Sequence, residues 1–354
     1  MNVLELAGFY SNYGSNFIPS LEFLDKEIMG LGHHVFYVFS NKNLSAKFYE
    51  WEKPFASTHN TILMNFSNIS FVSNVVKYIK NNNITVVHAH FCASLYLSMV
   101  KRRCPKEVKF YEHIHSSPFN NNRGFAAFLR RIRNFILLDK NILKICVSES
   151  LVSMVKYVFP KQNVISCLNA IDFNRLRESS RNNLDEFSVL LFGYNYYVKG
   201  VDIAIDAIIK LQNKINVHMD IVMSDHYDDN INIIKNKYGK IPDCVSILEP
   251  IPNVVDLYKT HSVYLNASRS EGLSYANLEA YYCGAFCILS NIPQNKEAGL
   301  PNVLYFESKN STDLSNKILD SYKTIKFYSN DINYLKQKFN INAWSNRIIK
   351  ILKL

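Results

Sequence analysis

The feature that most constrains the fold is the regular alternation of short apolar runs with segments of helical periodicity. The predicted strands are residues 2–7, 33–40, 84–91, 108–115, 143–148 and 164–168 in the first half, and 188–193, 217–223, 245–251, 262–267, 285–290 and 303–306 in the second. Helical segments separate several of them, for example at 17–31, 71–80, 125–138, 201–211 and 274–283. Such alternation favours βαβ units and parallel sheets. We therefore predict an α/β protein.

A polar stretch at residues 174–186 has little apolar periodicity and is the best candidate for a linker. It separates a domain at residues 1–175 from a domain at residues 186–335, and 354 residues fit two domains of ordinary size. Ligands of open α/β sheets gather at the carboxyl ends of the strands. We therefore expect two Rossmann-like, doubly wound domains that face each other across a cleft containing the site.

The charge balance of the chain indicates an anionic partner. Lysine and arginine number 40 against 30 acidic residues, a net charge of +10, which suits nucleic acid, an anionic membrane surface or a phosphorylated substrate. The amino-terminal residues lack the basic segment of a signal peptide, and no apolar run is long enough to span a bilayer. The seven cysteines form no CxxC pair, so neither a disulfide scaffold nor a zinc ribbon is predicted. We expect a cytoplasmic protein with reduced cysteines.

The segment NASRSEGLSYANLE at residues 266–279 carries the most chemical information. A predicted strand ends there, a polar loop with Glu271 and Gly272 follows, and a helix begins near Ser274. The free N–H groups of a helix start bind anions, and Gly272 allows a ligand to approach the backbone closely. Glu279 has apolar neighbours in the helix, so its burial would require a partner. The segment could offer two carboxylates and a diphosphate site, or simply two solvated surface acids.

This segment resembles the carboxyl-terminal signature of the retaining family 4 glycosyltransferases. Glu271 and Glu279 have the spacing of that signature, and GAFCI at residues 284–288 continues it. Further landmarks of the family occur in the same order: HAH at 88–90, CVSES at 146–150, NAID at 169–172, FG at 192–193, KGVD at 199–202 and Glu297. The resemblance spans the whole chain. It implies the GT-B fold, in which the final helix, about residues 338–354 here, crosses back to the first domain.

The resemblance implies roles for residues of the carboxyl-terminal half. Glu271 would contact the donor hexose at the reacting face, Glu279 would hold the ribose hydroxyls, and Lys199 would neutralise the phosphates of the leaving nucleotide. The diphosphate would be bound by the amides of Gly272, Leu273 and Ser274. A lysine and a helix N-terminus can stabilise the leaving group without a metal, and carboxylates favour oxocarbenium character on the sugar. Neither a metal nor a cofactor is therefore expected.

In the amino-terminal half, Gly14 matches the family's glycine-rich loop after the first strand, and His115 matches its cleft histidine. We prefer His115 to His113 because His115 ends the predicted strand, and we take His113 to point to the opposite face. One part of the family pattern is missing, because residues 194–197 contain no arginine before the lysine. Either Arg269 or no side chain takes that second phosphate-binding role.

Residues 125–139 predict an amphipathic helix with a basic side. Its apolar stripe consists of Phe125, Phe128, Leu129, Ile132, Phe135 and Ile136. Arg130, Arg131 and Arg133 lie off the stripe, and Arg123 precedes the helix. Two compatible interpretations stay open: the stripe packs on the amino-terminal sheet, or the four arginines contact anionic lipid. Nucleic-acid binding is a rival use of the charge, but the chain has no signature of a nucleic-acid-binding module.

Together these features predict a metal-independent, retaining hexosyltransferase at the cytoplasmic face of a bacterial inner membrane. Its donor would be a nucleotide-diphosphate sugar, UDP-linked, and its acceptor a glycan on a lipid carrier in capsule or other surface-polysaccharide synthesis. Two alternatives remain: an enzyme acting on protein or teichoic acid, and a non-catalytic GT-B subunit that supports another transferase.

Overall fold

The structure is a computed structural model, and it describes residues 1–9, 17–40, 47–68, 70–118, 124–176, 187–223, 227–251, 254–325 and 329–354. These residues form two compact units. The first comprises residues 1–170 and 341–354, and the second comprises residues 171–340. Gly14, Arg123 and most of the predicted linker lie outside the described residues. No helix in the described ranges is long and apolar enough to span a bilayer.

The first unit is built on a seven-stranded parallel sheet. Its strands are β1 (Asn2–Ala7), β2 (His34–Ser40), β3 (Asn60–Met64), β4 (Val86–His90), β5 (Lys109–Ile114), β6 (Ile142–Cys146) and β7 (Val164–Ser166). Its helices within residues 1–170 are α1 (Ile18–Gly30), α2 (Lys53–Thr58), α3 (Ser70–Asn81), α4 (Ser94–Lys101), α5 (Phe125–Leu137) and α6 (Glu149–Val158). The strand order is β3-β2-β1-β4-β5-β6-β7. The order reverses between β1 and β4, which is where sheets of this kind place ligands.

The second unit follows the same plan with six parallel strands. They are β8 (Ser188–Phe192), β9 (His218–Val222), β10 (Val245–Leu248), β11 (Val263–Asn266), β12 (Phe286–Ser290) and β13 (Leu304–Phe306), in the order β10-β9-β8-β11-β12-β13. Its helices are α7 (Val201–Ile209), α8 (Tyr227–Tyr238), α9 (Val255–Thr260), α10 (Tyr275–Tyr282), α11 (Pro293–Glu297), α12 (Ser311–Thr324) and α13 (Ile332–Lys338). A 3-10 turn at Phe173–Arg175 precedes the sheet. The reversal of strand order lies between β8 and β11.

Alternation along the central strands decides what each face of the first sheet contacts. Leu4 and Leu6 of β1 join the apolar core formed with α3 and α4. Glu5 between them points to the opposite face, because successive strand residues alternate. That face also carries buried histidines of β4 and β5. The first sheet therefore has one apolar face and one face with a buried polar cluster.

The edge strand of the first sheet, β3, is not predicted by the local sequence pattern. This strand has only five residues, none of them fully buried, and it begins with Asn60 and Thr61. It pairs in parallel with β2, Val38 opposite Ile62. Its apolar pattern is too short and too weak to be separated from a loop, so pairing with β2 decides its conformation.

The last helix, α14 (Ile341–Leu352), belongs to the first unit, where it packs against α1. The Tyr111 hydroxyl of β5 donates to the carbonyl oxygen of Leu352 at 3.2 Å. Arg347 Nη2 donates to the carbonyl oxygen of Ser166 at 3.2 Å. Ile348 and Leu352 are fully buried. The amphipathic face of α14 therefore covers part of the first unit.

Helix α5 shows that one of the two interpretations of its apolar stripe is wrong. The stripe does not pack on the sheet: Phe125 is 75% exposed, Ile136 is 65% exposed, and the other four stripe residues are exposed as well. The buried side of α5 consists of Ala127 and Asn134. Asn134 Nδ2 donates to the carbonyl oxygen of Val158 at the end of α6, at 3.0 Å. Small and polar side chains therefore attach the helix, and the apolar stripe faces outward.

We expect Gly200→Ala to lower the free energy of unfolding by more than about 2 kcal/mol. Gly200 has a φ of +66°, a conformation that costs other residues about 1–2 kcal/mol. An added Cβ would also lie 2.1 Å from the carbonyl oxygen of Ala267. Gly239→Ala is the matched control, since Gly239 has a φ of +79° but no neighbouring atom within 4 Å of an added Cβ. Urea titrations measure both; equal losses would contradict the close-contact explanation.

Candidate active site

A buried ion pair lies where the order of the second sheet reverses. Lys199 precedes α7 after β8, and Glu271 follows β11, which pairs with β8. Lys199 Nζ donates to Glu271 Oε1 at 2.5 Å, and both side chains are 9% exposed. The carboxyl ends of two neighbouring parallel strands thus join residues that are 72 positions apart in the chain. This is the pair to which the family resemblance assigns the sugar and the leaving phosphates.

Polar neighbours fix the orientation of the Glu271 carboxylate. Ser268 Oγ donates to Oε1 at 2.6 Å, and Asn266 Nδ2 lies 3.3 Å from the same oxygen. Asn266 also donates to Asn277 Oδ1 at 2.7 Å, and Asn277 in turn donates to Asn295 at 3.0 Å. All three asparagines are buried. The network connects the loop after β11 to helices α10 and α11, so Glu271 has little freedom to reorient.

The environment keeps Lys199 charged although it is buried. Burial disfavours the ammonium, but the Glu271 carboxylate outweighs it, and the net effect raises the pKa of Lys199. The Lys199 ammonium also lies 4.5 Å from the ring centre of Tyr194, a cation–π distance. Tyr194 belongs to residues 194–197, the segment that lacks the arginine of the family pattern. A compact positive charge is therefore held beside a carboxylate at neutral pH.

The segment 271–275 provides a helix start beside the ion pair. Helix α10 begins at Tyr275, and Ser274 is its N-cap, whose hydroxyl accepts from the Asn277 N–H at 3.4 Å. Leu273 is buried, and Gly272 connects it to Glu271. The amino end of a helix carries partial positive charge and accommodates anions. Glu271 and the predicted diphosphate site thus lie within four residues of chain.

Glu279 is not a solvated surface acid. Its side chain is completely buried in α10, and Tyr258 of α9 donates its hydroxyl to Glu279 Oε2 at 3.2 Å. Burial, together with the negative charge of Glu279, raises the pKa of Tyr258 well above its ordinary value. Tyr258 is not predicted from the sequence, since no local pattern around α9 connects it to α10. The Tyr258 hydroxyl is therefore a fixed hydrogen-bond donor to the Glu279 carboxylate.

Arg269, one candidate for the second phosphate-binding group, is held by a carboxylate. Its Nη1 and Nη2 donate to the two oxygens of Asp202 at 2.8 and 2.7 Å, and Nη1 also donates to the carbonyl oxygen of Tyr197 at 2.6 Å. The guanidinium lies 4.2 Å from the Tyr197 ring centre. Two-point pairing of this kind fixes geometry. Arg269 therefore ties the loop after β11 to the start of α7.

The first unit carries a second buried polar cluster, on the face of its sheet opposite the apolar core. Glu5 of β1 contacts two histidines of β4: Oε1 is 3.1 Å from His88 Nδ1, and Oε2 is 3.0 Å from His90 Nε2. His88 Nε2 is 3.2 Å from His113 Nδ1 of β5. His88, His90 and His113 place ligand atoms within 4.8 Å of one another, the one such group in the described chain that could hold a metal ion.

His115 lies directly after β5, at the carboxyl end of the first sheet. Its Nε2 is 2.9 Å from His90 Nδ1. The ring stacks on Phe91 at 4.3 Å, and Phe17 meets its edge at 4.9 Å. The expectation that His113 points to the opposite face is wrong: the two rings stack at 4.7 Å, because residues two apart on a strand share a face. They differ in depth, since His113 is buried and His115 is half-buried.

We expect the free energy of unfolding to fall as the pH drops from about 6.5 to about 4. Burial lowers the pKa of His90 to about 4 and those of His113 and His115 well below their ordinary value. In this window the unfolded chain binds protons that the folded chain does not, at about 1.4 kcal/mol per pH unit for each proton.

The free energy of unfolding should continue to fall as the pH drops below 4.5. Burial favours a protonated Glu5, but His88 and His90 outweigh it and lower the pKa of Glu5 to about 2. Urea titrations at several pH values measure the slope. His34→Gln, at an exposed position, should leave the slope unchanged, while His113→Phe should reduce it. A stability independent of pH between about 7 and 4 would contradict the prediction.

Comparison with known proteins shows similarity to glycosyltransferases. Residues 186–324 match the family described as Glycosyl transferases group 1. A capsular polysaccharide biosynthesis glycosyltransferase, CapH of Staphylococcus aureus, is 24% identical over 250 residues, covering 66% of this chain and 67% of that protein.

Solved structures share the fold at low sequence identity. A glycosyltransferase from Rickettsia africae has a TM-score of 0.74 at 16% identity, covering 99% of this chain and 97% of that one. Anabaena HepE, in complex with UDP and glucose, has a TM-score of 0.76 at 15% identity, covering 100% and 99%. With the two Rossmann-like sheets, these similarities establish the GT-B fold. The chain is a glycosyltransferase, and residues 186–324 of its second unit match the family described as Glycosyl transferases group 1.

Proposed function

We propose that this glycosyltransferase is a retaining enzyme that moves a hexose from a UDP-sugar to a glycan on a lipid carrier in bacterial surface-polysaccharide synthesis. The observation that carries the proposal is the buried Lys199–Glu271 pair next to the amino end of α10. The Anabaena HepE structures contain UDP and UDP-glucose, which supports the donor class. The capsular relative supports a polysaccharide acceptor.

The charges of the pair suit the two halves of the reaction. When the bond between the sugar C1 and the diphosphate breaks, the electron pair stays on the diphosphate oxygen, and the sugar becomes electron-poor. Lys199 and the N–H groups at residues 272–274 stabilise the first charge. The Glu271 carboxylate stabilises the second. The acceptor hydroxyl then forms the new bond to C1, and its proton passes to the departing diphosphate oxygen, with no metal or cofactor among the required groups.

The remaining site residues take supporting roles in this proposal. Glu279, held by Tyr258, accepts hydrogen bonds from the ribose hydroxyls of the donor. His115 contacts the hexose, and the family resemblance adds Gly14, which lies outside the described residues, as a donor-binding residue. In this scheme Glu271 acts on the reacting sugar and Glu279 only on the nucleotide, so the two carboxylates should separate turnover from binding.

We expect UDP to bind in the presence of EDTA, and Lys199→Ala to weaken that binding by about 10- to 100-fold, since a charge-assisted hydrogen bond contributes about 1.5–3 kcal/mol. Calorimetric titration with UDP, GDP and ADP measures affinity and base preference. Lys237→Ala is the matched control, because Lys237 pairs with Asp206 at 3.0 Å on the surface of the same unit. Equal loss in both variants, or binding only with added metal, would contradict the site.

The same titrations distinguish the roles of Glu271 and Glu279. Glu279→Ala should weaken UDP binding, whereas Glu271→Ala should keep UDP binding and lower the release of UDP from UDP-sugars. The removal of Glu271 also leaves a buried ammonium, so thermal unfolding of each variant shows whether the loss of turnover is a loss of folded protein. Identical kinetics in both variants would overturn the assignment.

The proposal includes peripheral contact with the anionic inner membrane, at its cytoplasmic face, through the region 123–137. The support is the exposed apolar stripe of α5 and the net charge of +10. Arg130 and Arg133 are exposed on the same helix, whereas Arg131 is half-buried and donates to the carbonyl oxygen of Tyr157 at 2.7 Å. Apolar insertion beside cationic side chains is the pattern of an interfacial helix. Lipid-linked acceptors would be found at that surface.

We expect the double variant Phe125→Ser, Ile136→Ser to bind vesicles of mixed phosphatidylcholine and phosphatidylglycerol at least about 10-fold more weakly, because each apolar side chain contributes up to about 1.5–3 kcal/mol when buried. The double variant Arg130→Gln, Arg133→Gln should lose mainly the salt-sensitive part of the affinity for anionic vesicles. Tyr322→Ser, at an exposed position of α12, is the control. Co-sedimentation measures all of them. No preference of the unaltered protein for anionic vesicles would refute membrane contact and favour a soluble acceptor.

A further inference from the structure

A continuous chain of polar contacts connects a buried carboxylate to His115. Glu5 Oε2 is 3.0 Å from His90 Nε2, and His90 Nδ1 is 2.9 Å from His115 Nε2. The three side chains come from β1, from β4 and from the residue after β5, on one face of the sheet. Glu5 and His90 are each 1% exposed, while His115 is half-buried. The contacts therefore lead from the interior to the carboxyl edge of the sheet.

The protons in this chain of contacts can be placed by elimination. Glu5 Oε2 lies 3.0 Å from His90 Nε2, and an ionised carboxylate only accepts hydrogen bonds. His90 Nε2 must then carry a proton. A neutral His90 has a lone pair at Nδ1, so His115 Nε2 must donate to it. A neutral His115 is left with a lone pair at Nδ1, and no described residue hydrogen-bonds to that atom.

The surroundings of His115 hold its ring in this orientation. Phe91 stacks on the ring and Phe17 meets its edge, and both lie on the same side of the sheet as the histidines. Phe17 also contacts His90, with ring centres 4.8 Å apart. Tilting the His115 ring out of this plane would break the stacking and the contact with His90, and a half-turn within the plane would still remove the contact with His90. The ring can thus present only one nitrogen to a ligand.

We propose that Glu5 and His90 are positioning residues that hold His115 as its Nε2–H tautomer, so that Nδ1 accepts a hydrogen bond from a hydroxyl of the bound sugar. The identity of this ligand rests on the proposed function. A lone pair at this position selects a donor group, which a sugar hydroxyl provides and a phosphate oxygen does not. Neither residue touches the ligand; both act through His115.

A second chain of contacts from the same carboxylate provides the internal control. Glu5 Oε1 contacts His88, and His88 contacts His113, whose Nε2 is buried and has no hydrogen-bond partner in the described part of the chain. His88 Nδ1 also lies 3.2 Å from His90 Nε2, but the branch through His113 ends in the interior and does not reach His115. His88→Asn keeps an N–H near the position of Nδ1 for Glu5 and leaves in place His90 Nδ1, the atom that accepts from His115.

The direct test is nitrogen NMR of the full-length protein labelled with ¹⁵N-histidine, with His115→Gln to assign the resonance. The unaltered protein should show His115 protonated at Nε2 and not at Nδ1. In Glu5→Gln and His90→Gln the Nε2–H population should fall, since the group that fixes it is altered. His88→Asn should leave it unchanged. An unchanged His115 tautomer in both Glu5→Gln and His90→Gln would overturn the proposal.

Kinetics provide the second readout. Release of UDP from UDP-glucose or UDP-N-acetylglucosamine should fall about 10- to 100-fold in His90→Gln, as for other residues that orient a functional histidine. The Kd of UDP should stay within about two-fold, and His88→Asn should keep full turnover. Equal loss in His88→Asn and His90→Gln would show a merely structural role. If the unaltered protein releases no UDP, the proposed function fails, and the tautomers alone decide whether Glu5 and His90 position His115.

Discussion

The parallel pairing of strands that are not neighbours in sequence is the constraint on which both units depend. In the first sheet β1 pairs with β4, and in the second β8 pairs with β11. Each pairing leaves a reversal of strand order, and the loops at the carboxyl ends separate there. Lys199 and Glu271 meet at one reversal, and His90 and His115 lie at the end of the other. The chemistry of each unit follows from this single topological feature.

Buried charges are costly, and each one in these sites has a specific partner. Glu271 is bound to Lys199 and Ser268, Glu279 to Tyr258, and Glu5 to His88 and His90. A charge without such a partner would be neutralised or would destabilise the fold. The partners also fix which atom is a donor and which is an acceptor. Electrostatic stabilisation of a reaction needs groups fixed in this way before the substrate arrives.

Helix α5 buries its small and polar side chains and exposes its apolar ones. Its hydrophobic stripe has the spacing of a helix that covers a sheet, yet Ala127 and Asn134 form the packed side and the stripe stays exposed. A group of exposed Phe, Leu and Ile side chains on one helix is uncommon in a monomeric protein and indicates an interaction surface. Periodicity shows that a helix has two faces, but it does not show which of them turns inward. That choice depends on what the neighbouring helix α6 offers, here the carbonyl oxygen of Val158.

The sequence by itself determined the α/β class, nearly every strand, the start of α10 beside Ser274 and the family resemblance, because these depend on local apolar periodicity and on residue order. It did not determine the edge strand β3, whose five residues are ordered by pairing with β2. It also missed Tyr258 beneath Glu279, the Arg269–Asp202 pair, and the buried connection from Glu5 to His115. These contacts join residues that are 21 to 85 positions apart, and no local pattern specifies a partner at that distance. Only the order of strands in the folded sheets decided them, because that order sets which side chains share a face.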